Sequence, residues 1–212
     1  MRILILSWEF PPRIIGDLAQ YVDRLAVSLV KKDVDVYIVT FHNDWTGFEN
    51  RSDGVKIYRV SNQVKSHVSI LTWDLTLVPE FIRAASDIYY WVQGEVDLID
   101  AHEWLCIDAA TSLRKAFNLP FIYTIHSLED HRSFYRNDPL NISIKHLEKL
   151  GSIESDRVLV SSNWMKLEVR RLHGIPKDKI AVSSMMTTGW TSDVIKNYKM
   201  TIEAFKNLGN KN

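Results

Sequence analysis

The chain has 212 residues, 46% hydrophobic and 25% charged, enough for one good-sized core and awkward for two domains. Formal net charge is +0, so no global field draws it to nucleic acid or an anionic membrane, and no stretch approaches the apolar length that spans a bilayer. Its one cysteine, Cys106, excludes an internal disulfide and a cysteine-based zinc cluster; with an apolar start (1–6) too short for a signal peptide, a cytoplasmic location is expected.

Short apolar runs alternate with helical periodicity along the chain. The runs 3–7, 34–40, 55–60, 97–101, 121–125, 157–160 and 180–182 read as strands. Between them, 17–32, 74–93, 103–117, 141–154 and 162–173 read as helices. The first strand is cut off by Pro11-Pro12, and Gly16 stands just ahead of the first helix. Ser52-Asp53-Gly54 marks a turn closing a hairpin-like excursion before 55–60. Strands alternating with helices of this length imply βαβ units, and runs apolar on consecutive residues imply burial on both faces. The expected fold is α/β, a doubly wound parallel sheet.

The last thirty or so residues differ. Residues 183–189 carry neither period and read as a linker after a domain spanning 1–182. Within 190–212, Thr191 or Ser192 could cap a helix with Asp193 in its first turn and Gly209 after its end. Trp190, Val194, Tyr198, Ile202 and Phe205 form one apolar stripe, which needs a partner surface in this chain or in another subunit.

Ligands of open α/β sheets bind beyond the carboxyl ends of the strands, and a helix N-terminus there offers backbone N–H groups to anions. Three segments sit at such ends: the loop to Gly16, His102-Glu103-Trp104, and His126-Ser127-Leu128-Glu129. A neutral imidazole donates one hydrogen bond and accepts another, which suits a hydroxyl group on a ligand. The plain alternatives are that Glu103 starts a helix favourably and that Trp104 is core. His102, His126 and His131 with Glu103 and Glu129 lack H-x-x-x-H spacing, so no metal is expected. Ser161 or Ser162 caps the helix that follows. No G-x-S-x-G elbow suggests a hydrolase, and no G-x-G-x-x-G suggests a dinucleotide enzyme.

The opening Trp8-Glu9-Phe10-Pro11-Pro12-Arg13-Ile14-Ile15-Gly16-Asp17-Leu18 resembles the W-E-F/Y-P-P-R-x-x-G-G-L signature of GT-B glycosyltransferases of the glycogen and starch synthase-like group. Three further elements resemble the family's in order: H-D/E-W at His102-Glu103-Trp104, T-I/L-H at Thr124-Ile125-His126, and V-S-x-x-x-x-x-E at 160–168, one residue longer here, the last followed by Gly174-Ile175-Pro176-Lys177-Asp178-Lys179-Ile180. The resemblance implies a Rossmann-like N-terminal half of a GT-B fold, with the last helix packed back on it. It makes His126 the catalytic candidate, facing the transferred sugar. Arg13, Gly16, Asp17, His102, Glu103, Trp104, Ser127 and Glu129 become substrate-binding candidates. It further implies retaining transfer of glucose from ADP- or UDP-glucose to an α-1,4-glucan, with a nucleotide sugar as donor substrate and no cofactor.

Two departures qualify this. Where the family begins a second domain that binds the donor nucleotide, this chain runs into its linker and last helix, so the chain alone is expected to be inactive. Its partner would then be a separate donor-domain polypeptide or a second copy. Asp17 also replaces the second glycine and puts a charge where a diphosphate would approach; like charges about 4 Å apart repel by about 4 kcal/mol at an effective dielectric of about 20. A non-catalytic glucan-binding or partner-docking module is the alternative.

Overall fold

The first strand, β1 (Arg2–Ser7), explains the continuous apolar runs: Ile3 and Ile5 enter one hydrophobic layer, and Leu4 and Leu6 enter another on the opposite face. The computed structural model describes residues 1–185 and 189–209. After β1 come α1 (Asp17–Val30), β2 (Asp35–Phe41), β3 (Gly47–Asn50), β4 (Lys56–Val60), α2 (Ile70–Trp91), β5 (Leu98–His102) and α3 (Ile107–Phe117). There follow β6 (Phe121–Ile125), α4 (Glu129–Arg132), α5 (Pro139–Glu154), β7 (Arg157–Val160), α6 (Asn163–His173), β8 (Ile180–Val182) and α7 (Trp190–Gly209). The eight strands form one sheet in the order β3-β4-β2-β1-β5-β6-β7-β8, parallel throughout except for β3. This is the doubly wound α/β fold expected from the sequence.

α1 and α7 cover one face. Leu18, Val22, Leu25 and Leu29 of α1, with Val194, Tyr198 and Ile202 of α7, pack against Ile3, Ile5, Leu98, Ile122 and Leu159. α2, α3 and α6 cover the other face through Leu77, Phe81, Ile88, Ala109, Leu113 and Val169. The stripe of the last helix therefore finds its surface within this chain. α5 lies so close to α3 that a Cβ on Gly151 would stand 2.5 Å from Cδ1 of Ile107.

Several boundaries depart from periodicity. The hairpin partner β3 reads as polar, because an edge strand with Phe48 and Asn50 exposed shows no buried alternation. Gly54, at φ +89°, makes the turn between β3 and β4. α2 begins at Ile70, not 74, because Ser69 and Thr72 form a reciprocal cap, 3.3 Å from Thr72 N to Ser69 Oγ and 3.1 Å from Ser69 N to Thr72 Oγ1. Of the two serines before α6, Ser162 caps, accepting from Met165 N at 3.1 Å. Neither Thr191 nor Ser192 caps α7; it starts at Trp190, and Gly189 O takes the Ser192 N–H at 2.8 Å. Gly209, expected just beyond that helix, is its last described residue. Of the expected linker 183–189, residues 186–188 lie outside the described residues, as do 210–212 of the expected helix.

Candidate functional site

From β1 the chain winds outward one way through β2 and β4, and from β5 the other way through β6, β7 and β8. The reversal falls between β1 and β5, and a crevice opens at such a point beyond the strands' carboxyl ends. Here it is a cleft of about 420 Å³. Trp8 and Glu9 line it after β1, Asp17 and Leu18 from α1, and Ile70 from α2. Glu103, Trp104 and Leu105 line it after β5, His126 and Ser127 after β6, and Arg132 from α4. Of the candidates read from the sequence, Asp17, Glu103, Trp104, His126 and Ser127 come together on its wall.

The first loop is organised by a residue the sequence reading did not single out. Glu9 is buried, and its Oε2 accepts from Ile15 N at 2.7 Å and Gly16 N at 3.1 Å. These are the N–H groups expected to meet a diphosphate, and a carboxylate of this chain already satisfies them. Gly16 has extended backbone (φ −143°) and is not itself part of the cleft wall. Asp17 is exposed in the first turn of α1. Arg13 lies aside, its guanidinium 4.9 Å from the Trp8 ring and 4.8 Å from the Phe41 ring, with burial lowering its proton affinity against the pull of Glu9.

Glu103 sits at φ +64°, where a strand turns sharply into the 3₁₀ turn Trp104–Cys106. That conformation aims its carboxylate at the next strand end: Oε1 accepts from His126 N and Ser127 N at 2.9 Å each. Burial raises its proton affinity, while Arg132, 3.6 Å from Oε2, opposes the rise. Glu103 thus holds the backbone beside His126; it also precedes the 3₁₀ turn as its cap residue, with no side-chain cap bond. Trp104 is largely buried with Leu105 and Ile144, reaching the cleft from a packed base.

Arg132 is the one cation on the cleft wall among the described residues and another residue missed from the sequence. It donates to Glu129 Oε2 at 3.0 Å and Glu148 Oε1 at 2.6 Å. Glu148, fully buried, accepts the Glu129 N–H with both oxygens, at 2.8 and 3.0 Å. Burial pushes the Glu148 carboxyl up to about 7, with Arg132 holding it down. The candidate Glu129 belongs to this network and is not on the cleft wall. Its three-residue spacing from Arg132 was the one signal of the pair in the sequence.

His126 stands at the end of β6, and burial together with the neighbouring His102 pushes its imidazole down to about 3. It is therefore neutral at physiological pH. His102 lies beneath it, wholly buried, its Nδ1 3.0 Å from His126 Nε2. Under His102 is the buried Asp100, which also accepts from Thr124 Oγ1 at 2.7 Å and from the Tyr198 hydroxyl of α7. The Tyr21 ring meets His126 edge-on at 4.5 Å and Trp190 at 5.6 Å. His131 is elsewhere, bonded to Glu168 at 2.9 Å. Among the described residues no group of three side chains is placed to hold a metal ion, and no helix is long and apolar enough to cross a membrane.

Comparisons with known proteins agree with this fold. The chain is 29% identical over 211 residues to an uncharacterized glycosyltransferase of Methanocaldococcus jannaschii, covering 99% of this chain and 52% of that one. It is 26% identical over 187 residues to a glycogen synthase of Mycobacterium tuberculosis, covering 82% and 45%. The chain thus spans about half the length of the curated relatives it matches. A sucrose-phosphate synthase chain from Thermosynechococcus elongatus superposes with a TM-score of 0.70 at 17% identity, covering 97% of this chain and 99% of that one, which is a likeness of fold. The model of Glycosyltransferase Family 4 matches residues 18–184. The chain belongs to that family, as the N-terminal domain of a GT-B glycosyltransferase.

Proposed function

We propose that the cleft is the sugar-side wall of a retaining glucosyltransferase resembling glycogen and starch synthases, which extends an α-1,4-glucan from ADP- or UDP-glucose. The carrying observation is the placement of His126 on the crevice wall, its imidazole held between His102, Tyr21 and the Glu103-pinned backbone and kept uncharged by burial. Such a ring exchanges hydrogen bonds with a sugar hydroxyl without adding charge. The same wall presents the carboxylates of Glu9, Asp17 and Glu103 against one arginine, a balance that favours hydroxyl groups over phosphates. The relative named glycogen synthase supports the choice of glucan.

On this reading the diphosphate is held by a second wall that faces this one, supplied by a donor domain. Positioning can lower a barrier by about 7–11 kcal/mol, and one wall cannot supply it. The purified chain is accordingly expected not to elongate glucan with ADP-glucose or UDP-glucose. A donor domain added as a separate polypeptide should restore a trace at most, and His126→Ala should abolish that trace. Robust turnover by the chain alone, unaffected by His126→Ala, would overturn the proposal.

The occupied amides of the first loop favour a second reading, a module that binds glucan without turnover. Calorimetric titration with both nucleotide glucoses separates the contributions of Glu9 and Asp17. Asp17→Gly and Glu9→Gln are each expected to tighten a weak interaction, about threefold to tenfold, by removing one like charge. Equal affinities for wild type and Asp17→Gly would mean that Asp17 stands away from the phosphates.

A further inference from the structure

The last helix reaches the cleft through a chain of buried polar groups, of which Tyr198 and Asp100 lie outside the family motifs. Tyr198, fully buried on α7, donates its hydroxyl to Asp100 Oδ2; Thr124 donates to Oδ1 at 2.7 Å. His102 Nε2 lies 3.3 Å from the same Oδ2, and its other nitrogen faces His126 Nε2 at 3.0 Å. From this geometry we infer that Tyr198, Asp100 and His102 are positioning residues that fix the proton of His126 on Nε2 and leave Nδ1 as its hydrogen-bond acceptor.

The argument runs from the buried end outward. Asp100 is wholly buried, and the neighbouring His102 first, then the hydroxyl donors Tyr198 and Thr124, hold it as a carboxylate in spite of burial. Its approach to His102 Nε2 is an electrostatic contact and not an aligned hydrogen bond. A bare nitrogen there would set its lone pair against a carboxylate and would be a buried acceptor with no donor; a proton there is attracted. Nε2 of His102 therefore carries hydrogen. A second proton, on Nδ1, would make a fully enclosed imidazolium whose charge only this poorly aligned contact offsets, so Nδ1 is bare. A bare Nδ1 requires the donor at 3.0 Å to be His126 Nε2–H, which fixes the tautomer. Trp190 of α7 adds a steric restraint, packing at a tilt of 54° against the Tyr21 ring that meets His126 edge-on. The helix that covers the sheet thus also sets which hydrogen-bonding face the cleft histidine offers.

That consequence for the sugar rests on the reading of the cleft given above, whereas the protonation pattern is measurable without any ligand. In the ¹⁵N-labelled chain, two-bond proton–nitrogen correlation of the imidazoles distinguishes protonated from bare nitrogens. The expected spectrum at pH 7 places hydrogen on Nε2 of both His102 and His126. In Asp100→Asn the side-chain amide can donate to His102 Nε2, so both protons should transfer and His126 should carry hydrogen on Nδ1. Tyr198→Phe keeps the ring and removes one donor from the carboxylate. It should mix the two tautomers of His126, whereas a merely structural role would leave the ring nitrogens unchanged. Hydrogen on His126 Nδ1 in the wild-type chain would overturn the inference even if neither variant folds; so would folded variants with an unaltered His126. Failure of sugar binding with the expected spectrum would count against the proposed function and leave this inference standing.

Discussion

A chain ending at residue 185 is expected to self-associate or to melt far below the full chain. Without α7, the buried side chains Val194, Tyr198 and Ile202 leave the sheet. At about 1.5–3 kcal/mol each they account for roughly 5–9 kcal/mol, comparable with the whole stability of a typical domain, about 5–15 kcal/mol. The loss uncovers Ile3, Ile5, Leu98, Ile122 and Leu159 and takes a hydroxyl donor from the buried Asp100. Size-exclusion chromatography and thermal melting of the shortened and full chains check this. Self-association or a collapsed melting temperature is expected; a monomer with unchanged melting would mean that the helix contributes nothing in solution.

The second large effect concerns Arg132. Arg132→Met leaves Glu148 buried against Glu129 and Glu103 with no cation, and breaking a buried pair on one side costs on the order of 3 kcal/mol. The pH dependence has a definite sign. The carboxyl of Glu148 is raised in the folded state to about 7 from an ordinary 4.5, so its contribution is fully present below pH 4.5 and lost as pH rises through 7. Removing the arginine, which holds that value down, extends the loss to higher pH. The variant should therefore approach wild-type stability near pH 5 and fall furthest behind at pH 8 to 9 in denaturant titrations. Glu148→Gln in the same chain should restore much of the difference, since its amide oxygen still accepts from Glu129 N. A penalty independent of pH would place the effect in packing.

What the sequence disclosed follows from how local each signal was. The strands and helices were legible because their periods repeat within a few residues, and the crevice was legible because polar residues directly follow apolar runs at Ser7, Ala101 and Ile125. β3 was not, since a short edge strand carries no buried alternation. The partnerships inside the site were hidden for another reason. Glu9 with Gly16, Arg132 with Glu148 and Tyr198 with Asp100 are distant in sequence or cross a loop, and only the packed fold sets them side by side. The bound amides of the first loop also give Asp17 company: the charge that disfavours a diphosphate there is shared with Glu9.

The measurement that bears most directly on the proposed sugar wall is a titration of the ¹⁵N-labelled chain with maltoheptaose. Saturable shifts are expected at the indole N–H of Trp104 and the amides of His126 and Ser127, and they should be lost in His126→Ala with the remaining spectrum unchanged. Shifts absent up to millimolar sugar, or confined to surfaces away from β1, β5 and β6, would contradict the account.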